Sequence, residues 1–368
     1  MCAITFDWKD NDAKEKFKNF GKDHFASWGV IELTSMCNFN CKWCFANAGV
    51  SGHNMHIEDV KKLIRSFVKH NIRQVTFSGG EPLMYPHIRE VIEYAKSQGL
   101  IVHMNTNGYL FTKEIAHTLK DAGLSQIETN IDSLYPEKHD YIRGREGSFQ
   151  RAVQTLKNAK DAGLTCVMQT VLTRQNEDEI LDIFKFARLL GVQRSRVWDI
   201  TPSDGCAKKN MDELNLMPTN YLETIKKLTE YASMNGGQNI ESSDPLFPLD
   251  ECTNMSVTGG FCVFSAGLVI NISPKGDVFF CCTDRTPMYN IFEVIDSVDL
   301  REYHKAQLKN SLKGTEVPQT CNACNFNSKC RGGCLTRRKY SDDKTDYWCK
   351  YLKKPEVLSG EQSSEIMA

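Results

Sequence analysis

The sequence feature that most restricts the fold is a repeated order of helix, glycine and strand. Amphipathic segments end at a glycine, and a run rich in β-branched residues follows each glycine. Glycine is favoured after the last turn of a helix because it adopts the left-handed conformation without strain. Helices that alternate with strands in this way are typical of βαβ units, whose strands pair in parallel. The glycines are Gly99, Gly123, Gly163 and Gly191.

About six such units fit between residues 29 and 235, fewer than the eight of a closed barrel. We therefore predict an α/β fold, a partial (β/α)6 TIM-like barrel. The predicted strands are Val30–Thr34, Gln74–Phe77, Leu100–Asn105, Gln126–Ile131, Thr165–Leu172 and Ser195–Ile200. The predicted helices are Ile57–Lys69, Ile88–Gln98, Lys113–Ala122, Phe149–Ala162, Glu179–Leu190 and Met217–Met234.

A domain boundary is predicted near residues 236–250, where the repeated units end and the chain becomes rich in Gly, Ser, Asn and Pro. Nine of the 15 cysteines lie beyond it, which predicts a small cysteine-rich domain at 236–355. Residues 1–28 are expected to be an extension, and 356–368 a disordered tail. Many closely spaced cysteines, without a signal peptide, favour metal ligation over disulfide bonds.

Charge and hydropathy exclude several classes of protein. The 45 basic side chains nearly balance 46 acidic ones, which gives no basic surface for nucleic acid. The sequence has no apolar run long enough to cross a bilayer. We expect a soluble cytoplasmic protein whose partners include neither nucleic acid nor a membrane.

The first cysteine cluster has the spacing C-x3-C-x2-C and follows the first predicted strand. Loops at the C-terminal ends of parallel strands are where active sites form in such folds. Three thiolates on one loop, Cys37, Cys41 and Cys44, can hold three irons of a cubane cluster and leave the fourth iron open. The alternative is a structural zinc site, in which His53 or His56 supplies the fourth ligand.

The segment CNFNCKWC resembles the signature of the radical S-adenosylmethionine (SAM) superfamily. A second segment, Ser78-Gly79-Gly80-Glu81-Pro82, follows the second strand and resembles the GGEP motif of that family. The resemblance implies that its backbone and Glu81 receive the amino group of SAM. Glycines allow the backbone to approach a ligand closely. Taken alone, the motif could equally be an ordinary βα turn.

Weaker matches to the family follow the next strands. The resemblance implies a SAM contact for each, and each could instead be a capping or turn residue. Arg143 would pair with the SAM carboxylate. An electron from a flavodoxin-type or ferredoxin-type donor would cleave SAM and yield a 5′-deoxyadenosyl radical that abstracts hydrogen from substrate. The other candidate SAM contacts are Asn105, Asn107, Asn130, Asp132 and Gln169.

The second cysteine array resembles the SPASM extension of radical SAM enzymes, which implies two auxiliary clusters and three 4Fe–4S clusters in all. One auxiliary cluster would use Cys321, Cys324, Cys330 and Cys349. The other would use Cys262, Cys281 and Cys334, with Cys252 as the best candidate for the fourth ligand. Cys282 or an open iron are the other candidates for that position. A pair of zinc knuckles is the alternative for the whole array.

Two departures from the family bear on catalysis. In sulfatase-maturating relatives an aspartate at one position serves as the catalytic base. This chain has Cys282 there, with Asp284 two residues later. Cys206 replaces the arginine of a Gly-Arg-Ala turn after the sixth strand. It could return a hydrogen atom to a substrate radical, or it could be a small buried hydrophobic residue.

The resemblance implies an enzyme that modifies a ribosomally synthesised peptide by a crosslink, a thioether, epimerisation or oxidation. The alternative is an oxidoreductase or epimerase that acts on a small metabolite, such as an aminoglycoside or a tetrapyrrole. A more remote alternative is a zinc-stabilised binding protein.

Overall fold

The computed structural model describes residues 27–192, 194–201, 205–214, 218–234, 239–242, 257–258, 262–264, 267–324, 332–339, 341, 344–346 and 349. These residues form one mixed sheet of 11 strands in the order β11-β10-β9-β1-β2-β3-β4-β5-β6-β7-β8. The strands are β1 (Trp28–Thr34), β2 (Gln74–Gly79), β3 (Ile101–Asn105), β4 (Leu124–Asn130), β5 (Thr165–Leu172), β6 (Arg194–Asp199), β7 (Asn239–Glu241), β8 (Val257–Thr258), β9 (Val269–Ile272), β10 (Asp277–Cys281) and β11 (Asp284–Asn290).

Strands β1 to β8 pair in parallel with their neighbours, and helices connect β1 to β6. The helices are α1 (Ile57–Lys69), α2 (Ile88–Ser97), α3 (Lys113–Ala122), α4 (Pro136–Arg143), α5 (Ser148–Asp161), α6 (Ile180–Leu189), α7 (Cys206–Lys209), α8 (Met211–Leu214), α9 (Pro218–Met234), α10 (Leu300–Ser311) and α11 (Leu335–Arg338).

Helix α1 shows why these segments are helical and how they pack. Val60, Leu63, Ile64 and Phe67 recur at helical spacing and are all fully buried against the sheet. At the start of the helix, the ring of His56 accepts a hydrogen bond from the amide of Glu58. The opposite face carries the charged residues and remains in solvent.

The glycines that suggested helix ends do adopt left-handed conformations. Gly123, the C-cap of α3, has φ 112°, and its amide donates to the carbonyl of Lys120. A side chain at this φ would be strained, so glycine ends the helix cleanly. The six predicted strands and six predicted helices are confirmed to within a few residues at each end.

Side chains alternate between the two faces of the sheet, and this alternation places both apolar and charged side chains in the barrel interior. On β1, Ile31 and Leu33 pack in the hydrophobic core, while Val30 and Glu32 face a central cavity. On β4, Glu128 faces the same cavity, because successive side chains of a strand point to opposite faces. The outer face therefore packs against helices, and the inner face is free to bind ligands.

The sheet continues across the predicted boundary near residue 236. Strand β7 pairs with β6, and β9 pairs with β1 over Trp28–Ile31. The later strands β10 and β11 are antiparallel, so the part of the cysteine-rich region that is described extends the barrel sheet. Within the described ranges, no helix is both long and apolar enough to cross a membrane.

Candidate active site

A cavity of about 500 Å³ opens at the C-terminal ends of the parallel strands. Its volume is typical of small-molecule and cofactor sites. Cys37, Cys41 and Cys44 lie on one wall, after β1. The cavity therefore gathers the first cysteine cluster and most of the predicted SAM-binding residues, although these are spread over more than 130 residues of sequence.

Two backbone bridges close the cysteine loop. Thr34 pairs with Asn54, and Met36 pairs with Gly49. The amide of Cys37 donates to the carbonyl of Gly49 at 2.6 Å. These bonds hold the ends of the loop together, so the thiols are presented on a fixed backbone.

The sulfur of Cys37 accepts two hydrogen bonds. The amide of Phe39 lies 3.4 Å from it and the side-chain amide of Asn107 lies 3.7 Å from it. N–H donors of this kind stabilise a ligating thiolate. Burial raises the pKa of Cys37 and raises that of Cys41 to about 12, so the binding of metal to these thiols would be coupled to loss of their protons.

Gly79 and Gly80 bring the end of β2 into contact with the start of the cysteine loop. A Cβ on Gly80 would lie 2.0 Å from the carbonyl oxygen of Met36. The amides of Gly80 and Glu81 donate to the carbonyls of Thr34 and Met36 at 2.7 and 2.8 Å. The glycines are therefore required by backbone packing, in addition to any approach to a ligand, since Ser78 and both glycines also line the cavity.

The carboxylate of Glu81 is turned away from the cavity. It accepts hydrogen bonds from the hydroxyl of Thr106 and the amide of Asn107, both at 2.7 Å, and from the amide of Leu83 at 3.0 Å. Glu81 is fully buried and does not line the cavity. That this carboxylate receives the SAM amino group stays a prediction. Its contacts position the turn after β3, and the backbone of Ser78 to Gly80 faces the cavity.

Arg143 is a buried cation on the wall beside the thiols. Its guanidinium lies 3.4 Å from the carboxylate of Asp132 and stacks on the rings of Trp43, at 4.7 Å, and Phe39, at 5.5 Å. Burial alone would lower its pKa, but the nearby Cys41 and Asp132 raise it. Among the described residues, Nε of Arg143 has no hydrogen-bond partner. The cation is thus held in place with one donor left for a ligand.

The other predicted SAM-binding residues fall into two groups. Asn105, Asn107, Asn130 and Gln169 line the cavity at the ends of β3, β4 and β5. Asp132 does not line it: its carboxylate accepts from the amide of Val171 at 2.9 Å and pairs with Arg143. Asp132 thus contributes to the cavity indirectly, through its ion pair with Arg143.

Sequence reasoning did not find the ionic network on the cavity floor. Arg196 donates to Glu128 at 2.8 and 2.9 Å and to Glu241 at 2.9 Å, and Arg194 pairs with Glu241 at 2.6 Å. Glu32, which lines the cavity on β1, accepts a bidentate pair of hydrogen bonds from Arg285 at 2.5 and 2.8 Å. The available signal was the alternation of polar residues, Gln126, Glu128 and Asn130 on β4 and Arg194 and Arg196 on β6, which a purely hydrophobic core would not contain.

The catalytic candidates lie in three different places. Cys282 lines the cavity. Asp284 forms an ion pair with Lys339 and lines a separate small cavity. Cys206 lies outside the central cavity, where its thiol is 3.5 Å from the side-chain Oδ1 of Asn47 and its backbone amide donates to the backbone carbonyl of Cys44. Of the three, only Cys282 faces the space where a substrate would bind.

The structure places three of the C-terminal cysteines near one another. Cys281 and Cys262 belong to one apolar cluster, and Cys334 interacts electrostatically with Cys262. The neighbouring thiol of Cys282 lowers the pKa of Cys281 below its usual value. The role of Cys262, Cys281 and Cys334 as ligands of one auxiliary cluster stays a prediction. For the other set, Cys321 and Cys349 are buried and Cys324 is half-buried. Cys252 and Cys330 lie outside the described residues.

The donor set suits an iron–sulfur cluster. In the described part of the chain, no three His, Cys, Asp or Glu side chains surround one point closely enough to hold a single metal ion. The thiols of Cys37, Cys41 and Cys44 line a shared wall, and soft thiolates bind iron–sulfur clusters as well as zinc and Cu(I). The hydrogen bonds to Cys37 and the cation of Arg143 favour the negative charge of such a cluster.

Comparison with known sequences gives matches along most of the chain. The sequence model of the radical SAM superfamily matches residues 31–187. The mycofactocin maturase MftC of Mycolicibacterium smegmatis is 27% identical over 316 residues, which cover 84% of this chain and 78% of that protein. The AdoMet-dependent heme synthase of Nitratidesulfovibrio vulgaris is 31% identical over 178 residues, 48% of each chain. The match to the heme synthase thus spans about half of its length.

Solved structures share the fold. SuiB of Streptococcus suis bound to precursor peptide SuiA superposes with a TM-score of 0.68 at 17% identity, over 92% of this chain and 80% of that chain. The structure of anSMEcpe with bound AdoMet gives a TM-score of 0.68 at 16% identity, over 89% and 95% of the two chains. At identities this low, the structural similarity establishes the fold alone. It confirms the predicted partial barrel.

Proposed function

Because this chain belongs to the radical SAM superfamily, we propose that it is an enzyme that cleaves SAM reductively and modifies a ribosomally synthesised peptide. The observation that carries the proposal is the common wall of one cavity, on which the three thiols, the Gly79-Gly80 turn and Arg143 meet. These residues come from three separate segments of the chain. A structural zinc site would not need the glycine turn or the arginine.

Cys37, Cys41 and Cys44 would hold a 4Fe–4S cluster with one open iron, and SAM would bind against the Ser78–Gly80 backbone with its carboxylate toward Arg143. Bound in this way, the cluster and SAM supply a 5′-deoxyadenosyl radical that abstracts hydrogen from substrate. The chain itself positions these groups, because the buried guanidinium is fixed by Asp132 and the aromatic rings.

Two auxiliary 4Fe–4S clusters complete the proposed cofactor set. The proximity of Cys262, Cys281 and Cys334 supports the set nearer the barrel. Cys282 is adjacent to Cys281 in the chain and lines the cavity, which makes it a candidate for the open ligand position or for a proton or hydrogen donor to substrate.

A peptide substrate is supported by the opposite wall of the cavity. The indole N–H of Trp198 and the side-chain amide of Asn271 have no hydrogen-bond partner among the described residues, and both residues line the cavity. Buried donors are rarely left unpaired, and the carbonyl groups of a peptide are suitable acceptors. Relatives point the same way, since MftC is named as a maturase and SuiB is seen with a precursor peptide.

The second candidate is a small metabolite, which the similarity to the heme synthase favours. Arg194 and Arg196 line the cavity floor and could face an anionic group. Both arginines are already paired with glutamates, however, so an added carboxylate would compete with Glu128 and Glu241. This competition makes the metabolite the weaker candidate.

The test is iron content together with SAM cleavage in protein reconstituted without oxygen. Three clusters correspond to about 12 iron atoms per chain. Replacing Cys37, Cys41 and Cys44 with alanine should remove about 4 of these and abolish 5′-deoxyadenosine formation. Cys166→Ala is the matched control, because this thiol is buried against the carbonyls of Leu156 and Leu164, away from the cavity. Stoichiometric zinc without iron would reject the proposal.

The substrate class is decided by deuterium transfer. Candidate precursor peptides and tetrapyrrole or aminoglycoside metabolites, each deuterated, would be incubated with the reconstituted enzyme. Deuterium in 5′-deoxyadenosine from a peptide, and from none of the metabolites, is the expected result. Transfer from a metabolite alone would establish the second candidate instead.

A further inference from the structure

An exposed cationic surface lies beside the cysteine loop. The side chains of Arg145 and Arg151 are exposed, and both guanidinium groups stack on the ring of Tyr109, with distances of 4.6 and 5.5 Å to its centroid. In the described part of the chain, neither arginine has a carboxylate within 4 Å. Two adjacent cations without a partner of opposite charge form a positive patch that is open to solvent.

Tyr109 connects this patch to the thiols. Its ring packs edge-on against Phe39, with 5.7 Å between the centroids. Phe39 is buried in one apolar cluster with Cys37 and Cys41, and its amide donates to the sulfur of Cys37. From solvent inward, the order is therefore arginine pair, Tyr109, Phe39 and thiol.

The position of the patch is fixed by backbone contacts. The amide of Tyr109 donates to the side chain of Asn107 at 3.0 Å, and Asn107 in turn contacts Cys37. On the other side, a Cβ at Gly144 would lie 2.2 Å from the carbonyl oxygen of Asn40, so the segment that carries Arg145 lies directly on the cysteine loop. A partner bound to the arginines would therefore be held within a few side chains of the loop.

We propose that Arg145, Arg151 and Tyr109 form the docking surface for a small acidic electron carrier of the flavodoxin or ferredoxin type. This inference rests on the proposed function, in which the cluster on the cysteine loop must gain one electron in each SAM cleavage. The reduced carrier loses that electron and the cluster gains it, with no other change in bonding. Charge complementarity steers the acidic carrier to the patch and holds it next to the path through Tyr109 and Phe39.

The experiment compares a protein reductant with a small one. In the double variant Arg145→Glu/Arg151→Glu, the Kd for flavodoxin, measured by titration calorimetry, should rise at least tenfold, and its dependence on salt should weaken. The rate of 5′-deoxyadenosine formation with flavodoxin should fall accordingly. With dithionite, which needs no docking surface, the rate should stay within about twofold of the native rate.

The control reverses the same amount of charge elsewhere. Arg65→Glu/Lys309→Glu changes exposed residues on α1 and α10, helices that carry no residue of the cavity wall. This variant should leave the flavodoxin Kd within about twofold. An unchanged Kd in the Arg145→Glu/Arg151→Glu variant, or an equal rise in the control, would overturn the docking proposal. Failure of the proposed function would appear separately, as no SAM cleavage by native protein with dithionite.

Discussion

Arg143 shows how much a single residue can contribute to a site of this kind. It is 4% exposed, and its guanidinium contacts the carboxylate of Asp132 and two aromatic rings. A buried cation is tolerated because it is paired and stacked, and removal of either partner would leave a charge in a medium of low dielectric constant. The same fixed cation can bind a carboxylate or oppose the charge of an iron–sulfur cluster.

Arg143→Met should separate the structural from the binding role of this residue. The variant leaves Asp132 buried without its cation and should be less stable by about 3–5 kcal/mol. The double variant Asp132→Asn/Arg143→Met removes both charges and should recover most of that loss. SAM affinity should fall at least tenfold in both variants, because a charge-assisted hydrogen bond is lost. Chemical denaturation and equilibrium SAM binding measure the two effects. Native SAM affinity in the double variant would show that Arg143 acts only in folding.

Gly80 tests whether the second motif is needed for packing. In Gly80→Ala the new methyl group would meet the carbonyl of Met36 at 2.0 Å and push the cysteine loop away from β2. We expect lower thermal stability and incomplete iron loading at the first cluster. Gly49→Ala is the matched control in the same loop, since a Cβ there meets nothing within 4 Å. Equal iron content in the two variants would contradict this account.

At the level of elements, the units of the barrel could be predicted because local signals agree. Helical periodicity, a terminal glycine and a β-branched run all occur in the same order for each unit. Helix α4 was missed, although Pro136 at its first turn and Gly144 with φ 63° after its end are ordinary helix signals. Its sequence is mostly polar, so the hydrophobic period on which the prediction relied is weak there.

Helix α10 carries a buried histidine that should make stability depend on pH. His304 is 1% exposed, its ring lies 3.0 Å from the hydroxyl of Tyr289, and burial lowers its pKa to about 4. The folded state therefore keeps the ring neutral, while the unfolded chain takes up a proton below about pH 6.5. Its contribution to stability is complete above that pH and is lost as the pH falls toward 4.

His304→Phe should remove this dependence. The variant should be less stable than the native protein at pH 7.5, because the bond to Tyr289 is lost. The difference in unfolding free energy should shrink by roughly 2 kcal/mol between pH 7.5 and pH 5, since only the native protein loses the histidine contribution. Chemical denaturation of the native protein and the variant at each pH measures this difference in unfolding free energy. A difference that stays constant with pH would show that His304 is not the group responsible.

At the scale of the whole molecule, the sequence predicted which loops meet but not how they are joined. Parallel strands bring their C-terminal ends to one edge, and this places Cys37, Gly80 and Asn130 around one cavity. The contacts that orient these residues depend on long-range packing. The carboxylate of Glu81 turned toward Thr106, and the pairing of β9 with β1 across the predicted boundary, have no local signal in the sequence.

The ion cluster around Arg337 joins the barrel to the cysteine-rich region. Arg337 is 1% exposed, and its guanidinium pairs with Asp199, at the end of β6, and with Asp346 at 2.8 and 2.9 Å. Asp346 also accepts from the amide of Cys334 at 2.5 Å. A strand of the cavity wall and a proposed cluster ligand are therefore connected through one cation.

Arg337→Met should uncouple the two parts of the molecule. Two carboxylates would be left buried without their cation, and stability should fall by about 3–5 kcal/mol or more. Because Asp346 would no longer be held against Cys334, about 4 of the 12 iron atoms should be lost, while SAM cleavage at the first cluster continues. Arg338→Met is the neighbouring control, since Arg338 donates to the backbone carbonyls of Thr315, Glu316 and Lys344 and should affect iron less. Iron analysis and denaturation midpoints of the two variants measure the loss of iron and the loss of stability. Full iron content in Arg337→Met would mean that the cation stabilises the fold without positioning the cluster ligand.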